Sequence, residues 1–212
     1  MSAPENEWLQ KLAKLGAVLT DGHFVYTSGN HGPTYVDKRT IVVYAVQAMA
    51  LCHELAVRLR RCSSGVEALV SPAVGAIPLG FGTAFHLSRV MGSLVLSFVA
   101  EKNSDGGFLV TTAPSLLAGK RVMVVEDILN TGGSAEKVIT LARSLDAEVI
   151  GVAALVNRGG VTAEALGVEH LVTLVDVQMP MYPADVCPLC AAGVPINTNV
   201  GHGAAFLAAR QG

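Results

Sequence analysis

The sequence predicts an α/β fold, a central and mostly parallel sheet flanked by helices. Three observations carry that expectation. Apolar runs rich in β-branched residues recur at 122–125, 148–156 and 171–175, the pattern of strands covered on both faces. Stretches with helical apolar spacing alternate with them, as strand-helix-strand units require. Turns of small, hydroxyl-bearing and glycine residues follow the strands at 71–76 and 130–134. At 212 residues the chain suits one domain with a sizeable core.

Composition narrows the function classes. Hydrophobic residues make up 51% of the chain and mean hydropathy is +0.47. No uninterrupted apolar run approaches the roughly 18–20 residues of a membrane span, and the opening MSAPENEW lacks a basic-then-apolar signal. A cytoplasmic protein is expected, with the apolar excess spent on the covered sheet and a subunit interface. A net charge of −2 and the absence of any lysine- or arginine-rich run argue against nucleic acid as partner. Four cysteines are too few and too unevenly spaced for a disulfide framework. Cys187 and Cys190 form a CxxC pair, but a metal site needs two more ligands, and Cys52 and Cys62 lie far upstream. The pair therefore reads as reduced thiols in preference to a zinc site.

Taken in order, residues 5–15 carry a helical stripe of Trp8, Leu9, Leu12 and Leu15. Short strands are expected at 24–27 and 34–36, joined by the turn SGNHGP at 28–33. Tyr35, Asp37, Lys38 and Arg39 form a polar and aromatic cluster leading into a helix at 46–59. Such a cluster suits a solvated strand end; beside a planar anion, Tyr35 would stack and Lys38 or Arg39 would supply charge. A strand at 66–70 ends in SPAVGA, which opens a helix at 78–87. The small residues Ala73, Val74 and Gly75 would let backbone amides approach an anion. A strand at 94–99 leads into AEKNSDGG, a charged stretch with the character of a mobile loop or a surface hairpin, carrying Lys102. A short strand at 108–111 follows it.

The most informative stretch is KRVMVVEDILNTGGS at 120–134. The strand at 122–125 ends at two carboxylates, Glu126 and Asp127. Asn130, Thr131, Gly132, Gly133 and Ser134 then open a helix at 135–145. Strand, turn and helix in that order aim free N–H groups and the positive end of a helix dipole at one point, which suits a phosphate. The acids suit sugar hydroxyls and magnesium. Neither GxxxxGK[ST] nor GxGxxG is present. Past the strand at 148–156, Arg158 is placed for a bidentate contact with a ligand carboxylate or, equally, for an ordinary surface salt bridge. A tail from 178 contains a short helix near 204–210.

Two acids followed by TGGS resemble the phosphoribosyl pyrophosphate signature of the type I phosphoribosyltransferases. Over nearly its whole length the chain is similar to the bacterial orotate phosphoribosyltransferases whose tail carries CPLC. The resemblance rests on GHFVYTSGNHGPTYVDKR from Gly22, SPAVGAIPLG from Ser71, AEKNSDGG from Ala100, VNRGG from Val156 and CPLCAAGVPI from Cys187. It implies the type I fold as a single domain over 1–212, with a small hood from roughly 1–40 and 178–212. It implies transfer of ribose-5-phosphate from phosphoribosyl pyrophosphate to orotate in pyrimidine synthesis, with magnesium, in a homodimer.

In that scheme Glu126 and Asp127 receive ribose hydroxyls, while Thr131, Gly132, Gly133 and Ser134 hold the 5′-phosphate. Lys102 stabilises pyrophosphate, and Tyr35, Lys38 and Arg158 fix the base. Magnesium binds mainly through substrate oxygens, with Asp127 in its outer shell. The loop offers only Lys102 where the family is richer in cations, Thr111-Thr112 replace a basic pair, and Asn130 stands where threonine is common. A non-catalytic sugar-phosphate-binding relative and a purine-base transferase therefore stay open.

Overall fold

The computed structural model describes residues 7–63, 65–177 and 179–210. The chain divides into two units, Met1–Ile41 with Gln178–Gly212, and Val42–Val177.

The first unit begins with α1 (Glu7–Lys14), which buries Leu12; residues 5 and 6 of the expected helix lie outside the described residues. Two antiparallel pairs follow. β1 (Val18–Leu19) pairs with β4 (Tyr35–Val36), and β2 (Phe24–Val25) pairs with β3 (His31–Gly32). The expected turn at 28–33 is shorter than its composition suggests, because residues 31 and 32 leave it to pair with β2. Gly29, at φ +81°, supplies the left-handed residue that closes the reversal, and its N–H donates to the Tyr26 carbonyl at 2.9 Å. α2 (Lys38–Val43) runs across the division between the units.

The second unit contains α3 (Ala45–Cys62), β5 (Ala68–Pro72), α4 (Ile77–Met91), β6 (Leu96–Lys102), β7 (Phe108–Leu109), β8 (Arg121–Leu129), α5 (Gly133–Ser144), β9 (Glu148–Asn157), α6 (Ala163–Leu166) and β10 (His170–Asp176). Six strands form one sheet in the order β10-β9-β8-β5-β6-β7, parallel throughout except for β7. The expected parallel sheet is observed, and the strands are longer than the apolar runs alone suggest. β8 continues through both acids to Leu129. The expected loop at 100–107 is a hairpin, in which Glu101 pairs with Leu109 and Lys102 with Phe108. Asn103 closes its turn by accepting the Gly107 N–H at 2.7 Å.

Val122, Met123, Val124 and Val125 are all fully buried, as a central strand covered on both faces demands. One face packs on α5 through Val138, Ile139 and Ala142, together with Ala68, Val70, Val122, Val124 and Val152. α3 and α4 pack on each other and reach β5, β6, β9 and β10. Gly80 lets α4 approach β5 closely: a Cβ there would stand 1.8 Å from Ser71 Oγ. Among the described residues no helix is long and apolar enough to cross a membrane.

The remainder of the first unit is a tail with two short helices, α7 (Pro188–Ala191) and α8 (Gly203–Ala208). It is anchored by backbone pairing: His31 and Tyr182 exchange N–H to carbonyl bonds of 2.8 Å in both directions.

Gly151 tests the sheet. A Cβ at this position would lie 2.5 Å from the His170 carbonyl oxygen on the neighbouring strand, a backbone contact that no rotamer change relieves. Gly151→Ala should lower unfolding stability by roughly 1–3 kcal/mol in a urea titration, with the slope unchanged.

Candidate active site

The chain order across the sheet locates the site. From β5 the chain passes through α4 to β6 on one side, and from β8 through α5 to β9 and then β10 on the other. The direction of winding reverses between β5 and β8, which makes their C-terminal ends the switch point where open α/β sheets collect ligands. Both turns that the sequence marks as anion-binding, 71–76 and 130–134, leave from these two strand ends. Pairing of β8 with β5 ends at Val124, while pairing with β9 continues to Leu129. The last residues of β8 are thus unpaired with β5, though still mostly buried.

Glu126 and Asp127 occupy that stretch and are 6% and 3% exposed. Their carboxylates accept backbone donors of their own strand: the Asp127 N–H donates to Glu126 Oε1 at 2.9 Å, and the Ile128 N–H to Asp127 Oδ1 at 2.7 Å. Both side chains are thereby held in defined orientations as acceptors, the role that hydroxyl recognition needs.

The turn after β8 is built to expose N–H groups. Gly132 adopts φ +85°, in the left-handed region, and precedes the first helical residue of α5. A Cβ on it would also crowd Leu166 Cδ2 of α6 at 2.9 Å, so glycine is favoured on both counts. Asn130, Thr131 and Ser134 are exposed, and the Gly133 N–H points to Thr131 Oγ1 at 3.4 Å. A small concavity of about 100 Å³ is lined by Glu126, residues 128–134 and Ala135. The first turn of α5 directs backbone N–H groups and the positive end of its dipole to this concavity.

On the β5 side, the Ala73–Val74 peptide is cis and the Ala73 N–H donates to the Ala100 carbonyl at 2.8 Å. Val74 is exposed, and Ala73 and Gly75 are half-buried. Ala73 and Ile77 also line a larger open cleft of about 590 Å³, together with Phe98, Glu101, Thr111 and Leu116. Lys102 is exposed at the end of β6. The hairpin beside it is tied down by Lys137 of α5, whose Nζ donates to the Gly106 carbonyl at 2.8 Å. Nothing in the periodicity around Lys137 signals that contact.

Arg158 follows β9 and is 8% exposed. Its Nε donates to Asn130 Oδ1, so the side chain braces the signature turn. The N–H groups of Arg158 and Gly159 both donate to the Leu129 carbonyl, at 3.0 and 3.2 Å. Gly159 packs so closely that a Cβ would fall 1.5 Å from the Asn130 carbonyl oxygen. The Gly159-Gly160 pair marks a turn in the sequence, but this approach to Asn130 appears only once β8 and β9 are aligned. The structure thus brings together Glu126, Asp127, residues 130–134 and Arg158. Tyr35 on β4 and Lys38 on α2 belong to the other unit.

An acid pair and a glycine-rich, helix-opening turn at the switch point of a parallel sheet define a sugar-phosphate-binding α/β protein. Residues 44–174 match the phosphoribosyl transferase domain model, and the chain belongs to that family. It is 36% identical over 189 residues to the orotate phosphoribosyltransferase of Desulforamulus reducens, covering 89% of this chain and 93% of that one. It is 32% identical to the orotate phosphoribosyltransferase of Thermus thermophilus, over 89% and 97%. Among solved structures, orotate phosphoribosyltransferase from Aeropyrum pernix superposes with a TM-score of 0.58 at 28% identity, over 80% of this chain and 93% of that one. Adenine phosphoribosyltransferase from Thermoanaerobacter pseudethanolicus shares the fold, with a TM-score of 0.57 at 18% identity, over 79% and 99%.

Gly159→Ala should push the Asn130 backbone away from β9 and deform the turn. Calorimetric titration with inorganic phosphate should show affinity reduced about tenfold or more, a loss of roughly 1.4 kcal/mol or above, with the far-ultraviolet dichroism of the sheet retained.

Proposed function

We propose that the protein is an orotate phosphoribosyltransferase. The carrying observation is the convergence of the Glu126–Asp127 pair, the TGGS turn and the 71–76 turn on one switch point. Orotate is chosen as acceptor because the curated relatives aligned over most of the chain are named for it.

The reaction breaks the bond between ribose C1 and the pyrophosphate oxygen, whose electron pair leaves with pyrophosphate. N1 of orotate forms the new bond and gives up its proton. Positive charge builds on the ribose ring in the transition state, so the protein must orient the sugar and receive the departing charge. Glu126 and Asp127 accept the ribose hydroxyls. Thr131, Ser134 and the amides of Gly132 and Gly133 hold the 5′-phosphate in the concavity beneath α5. Backbone groups of Ala73, Val74 and Gly75 face the pyrophosphate, and the Lys102 ammonium neutralises it. Tyr35 and Lys38 hold the base. Arg158, tied to Asn130, contributes by keeping the turn in place at the edge where the base binds.

Magnesium fits the donor set as a substrate-borne ion. Among the described residues the only cluster of three or more metal-ligating side chains lies elsewhere, and the acids here are oxygen donors already engaged with backbone N–H groups. Asp127 would hold the ion through water. When bound, magnesium supplies charge neutralisation of the diphosphate.

A homodimer in the cytoplasm completes the reading. Val46 of α3, Phe81 of α4 and Leu94 are 80%, 67% and 78% exposed, apolar surface of the kind that subunit contacts cover. Phe81→Asp should convert the dimer to monomer in sedimentation velocity.

Incubation with phosphoribosyl pyrophosphate, magnesium and orotate should consume orotate. Consumption of adenine or hypoxanthine in its place would reassign the base. Tight binding of the sugar phosphate with no base consumed would make the protein a regulator. Lys102→Ala and Asp127→Asn should each lower kcat by about 10²-fold or more with unchanged melting temperature. Full turnover by the Lys102 variant would remove that residue from the mechanism.

A further inference from the structure

We propose that His23, His31, Cys187 and Cys190 form a closed tetrahedral zinc site that fastens the β2–β3 hairpin to the C-terminal tail. All four residues belong to the first unit, and none lies on the turns assigned to the sugar phosphate. Their ligand atoms lie within 4.8 Å of one another. His23 Nε2 is 3.7 Å from Cys187 Sγ and 3.6 Å from Cys190 Sγ, and His31 Nδ1 is 3.3 Å from Cys190 Sγ. With Zn–N near 2.0–2.1 Å and Zn–S near 2.3 Å, the nitrogen-to-sulfur edge of a tetrahedron is about 3.5 Å. The histidine nitrogens, 2.8 Å apart, need to separate by only about half an ångström to reach the corresponding N–N edge.

The surroundings are those of a ligand set. His23 Nδ1 lies 2.7 Å from the Val194 carbonyl, which only accepts; the proton therefore sits on Nδ1 and the lone pair of Nε2 faces the two sulfurs. His31 is fully buried, and its ring meets that of Phe206 at 4.7 Å and 80°. If the two imidazoles merely shared a hydrogen bond, His31 Nδ1 would carry the proton. Its Nε2, which has no hydrogen-bond partner among the described residues, would then be a buried bare acceptor. Ligation through Nδ1 puts the proton on Nε2 instead, where the Phe206 ring offers a weak acceptor.

The backbone holds the four residues in place before any ion enters. His31 is clamped to Tyr182, and the Asn197 N–H donates to the His23 carbonyl at 2.8 Å. Cys187 caps the single turn of α7, which brings Cys190 round to the same side. Gly193, at φ +67°, then folds Val194 back onto His23. Four protein ligands leave no open position, so the site is structural, not catalytic. Such a staple suits a unit whose strands are two residues long and have little stability of their own. The missing ligands of the CxxC pair are two histidines, not Cys52 and Cys62.

Protein purified from zinc-replete medium should hold about one zinc per chain by plasma mass spectrometry. Cobalt(II) added after removal of zinc should give intense thiolate-to-metal charge-transfer absorption and tetrahedral visible bands. Cys190→Ser should lower zinc content at least tenfold, while Cys62→Ser keeps it. If Cys190→Ser does not fold, the wild type decides: chelation should lower the melting temperature and expose two further thiols to alkylation, and zinc should reverse both. Cys52, whose thiol burial pushes up to about 11, stays unreactive throughout as an internal reference. A metal-free wild type with no thiolate–cobalt band, a Cys187–Cys190 disulfide as its only chemistry, or a Cys190→Ser protein with full zinc would overturn the site.

Discussion

The structure depends on the way β8 is shared. Its first half is paired to β5 on one side and β9 on the other, with both faces buried, and its second half keeps only β9. A parallel strand in that position cannot fray without exposing its whole apolar length. The overhang therefore presents Glu126 and Asp127 from a rigid base, although the residues themselves have lost a neighbouring strand. Where β5 no longer pairs, the carboxylates accept the backbone N–H groups of Asp127 and Ile128.

The rest of the site is supported from that overhang. The Leu129 carbonyl receives two N–H groups from the turn after β9, Gly159 brings that turn into van der Waals range of Asn130, and Arg158 adds its Nε to the Asn130 side chain. The glycine-rich turn is thus gripped at its first residue and released at Gly132, where the chain turns through the left-handed region into α5. Rigid entry and exposed amides are what transition-state stabilisation of a transferring ribosyl group requires, since donors that must reorganise contribute less.

Metal and turn show two ways of joining distant segments. In the second unit β8 and β9 are aligned by pairing along most of their length, and the turns at their ends are locked by local contacts of Arg158 and Gly159 with Asn130. In the first unit the strands are two residues long, and His23 and Cys190 are 167 positions apart in the chain. Backbone bonds at Tyr182 and Asn197 align the segments, and a site of four convergent ligands supplies the strength that so little strand cannot.

The parallel sheet, the acids and the TGGS turn were legible because each is local. Burial on both faces leaves an unbroken apolar run, and a helix-opening turn needs its glycines and hydroxyls in consecutive positions. Element ends were less legible: β8 reaches Leu129 because β9 beside it runs on to Asn157 and pairs with it there, a fact absent from residues 122–129 themselves. Residues 100–107 suit a mobile loop or a surface hairpin by composition, and the pairing of Glu101 and Lys102 with Leu109 and Phe108 decides for the hairpin. The sugar-phosphate signature and the fold class are written in the chain itself. Folding adds that Arg158 braces Asn130, that Gly159 must lack a side chain, and that Cys187 and Cys190 meet His23 and His31. Those contacts join residues far apart in the chain, and the spacing of side chains along one element carries no information about the element that will lie beside it.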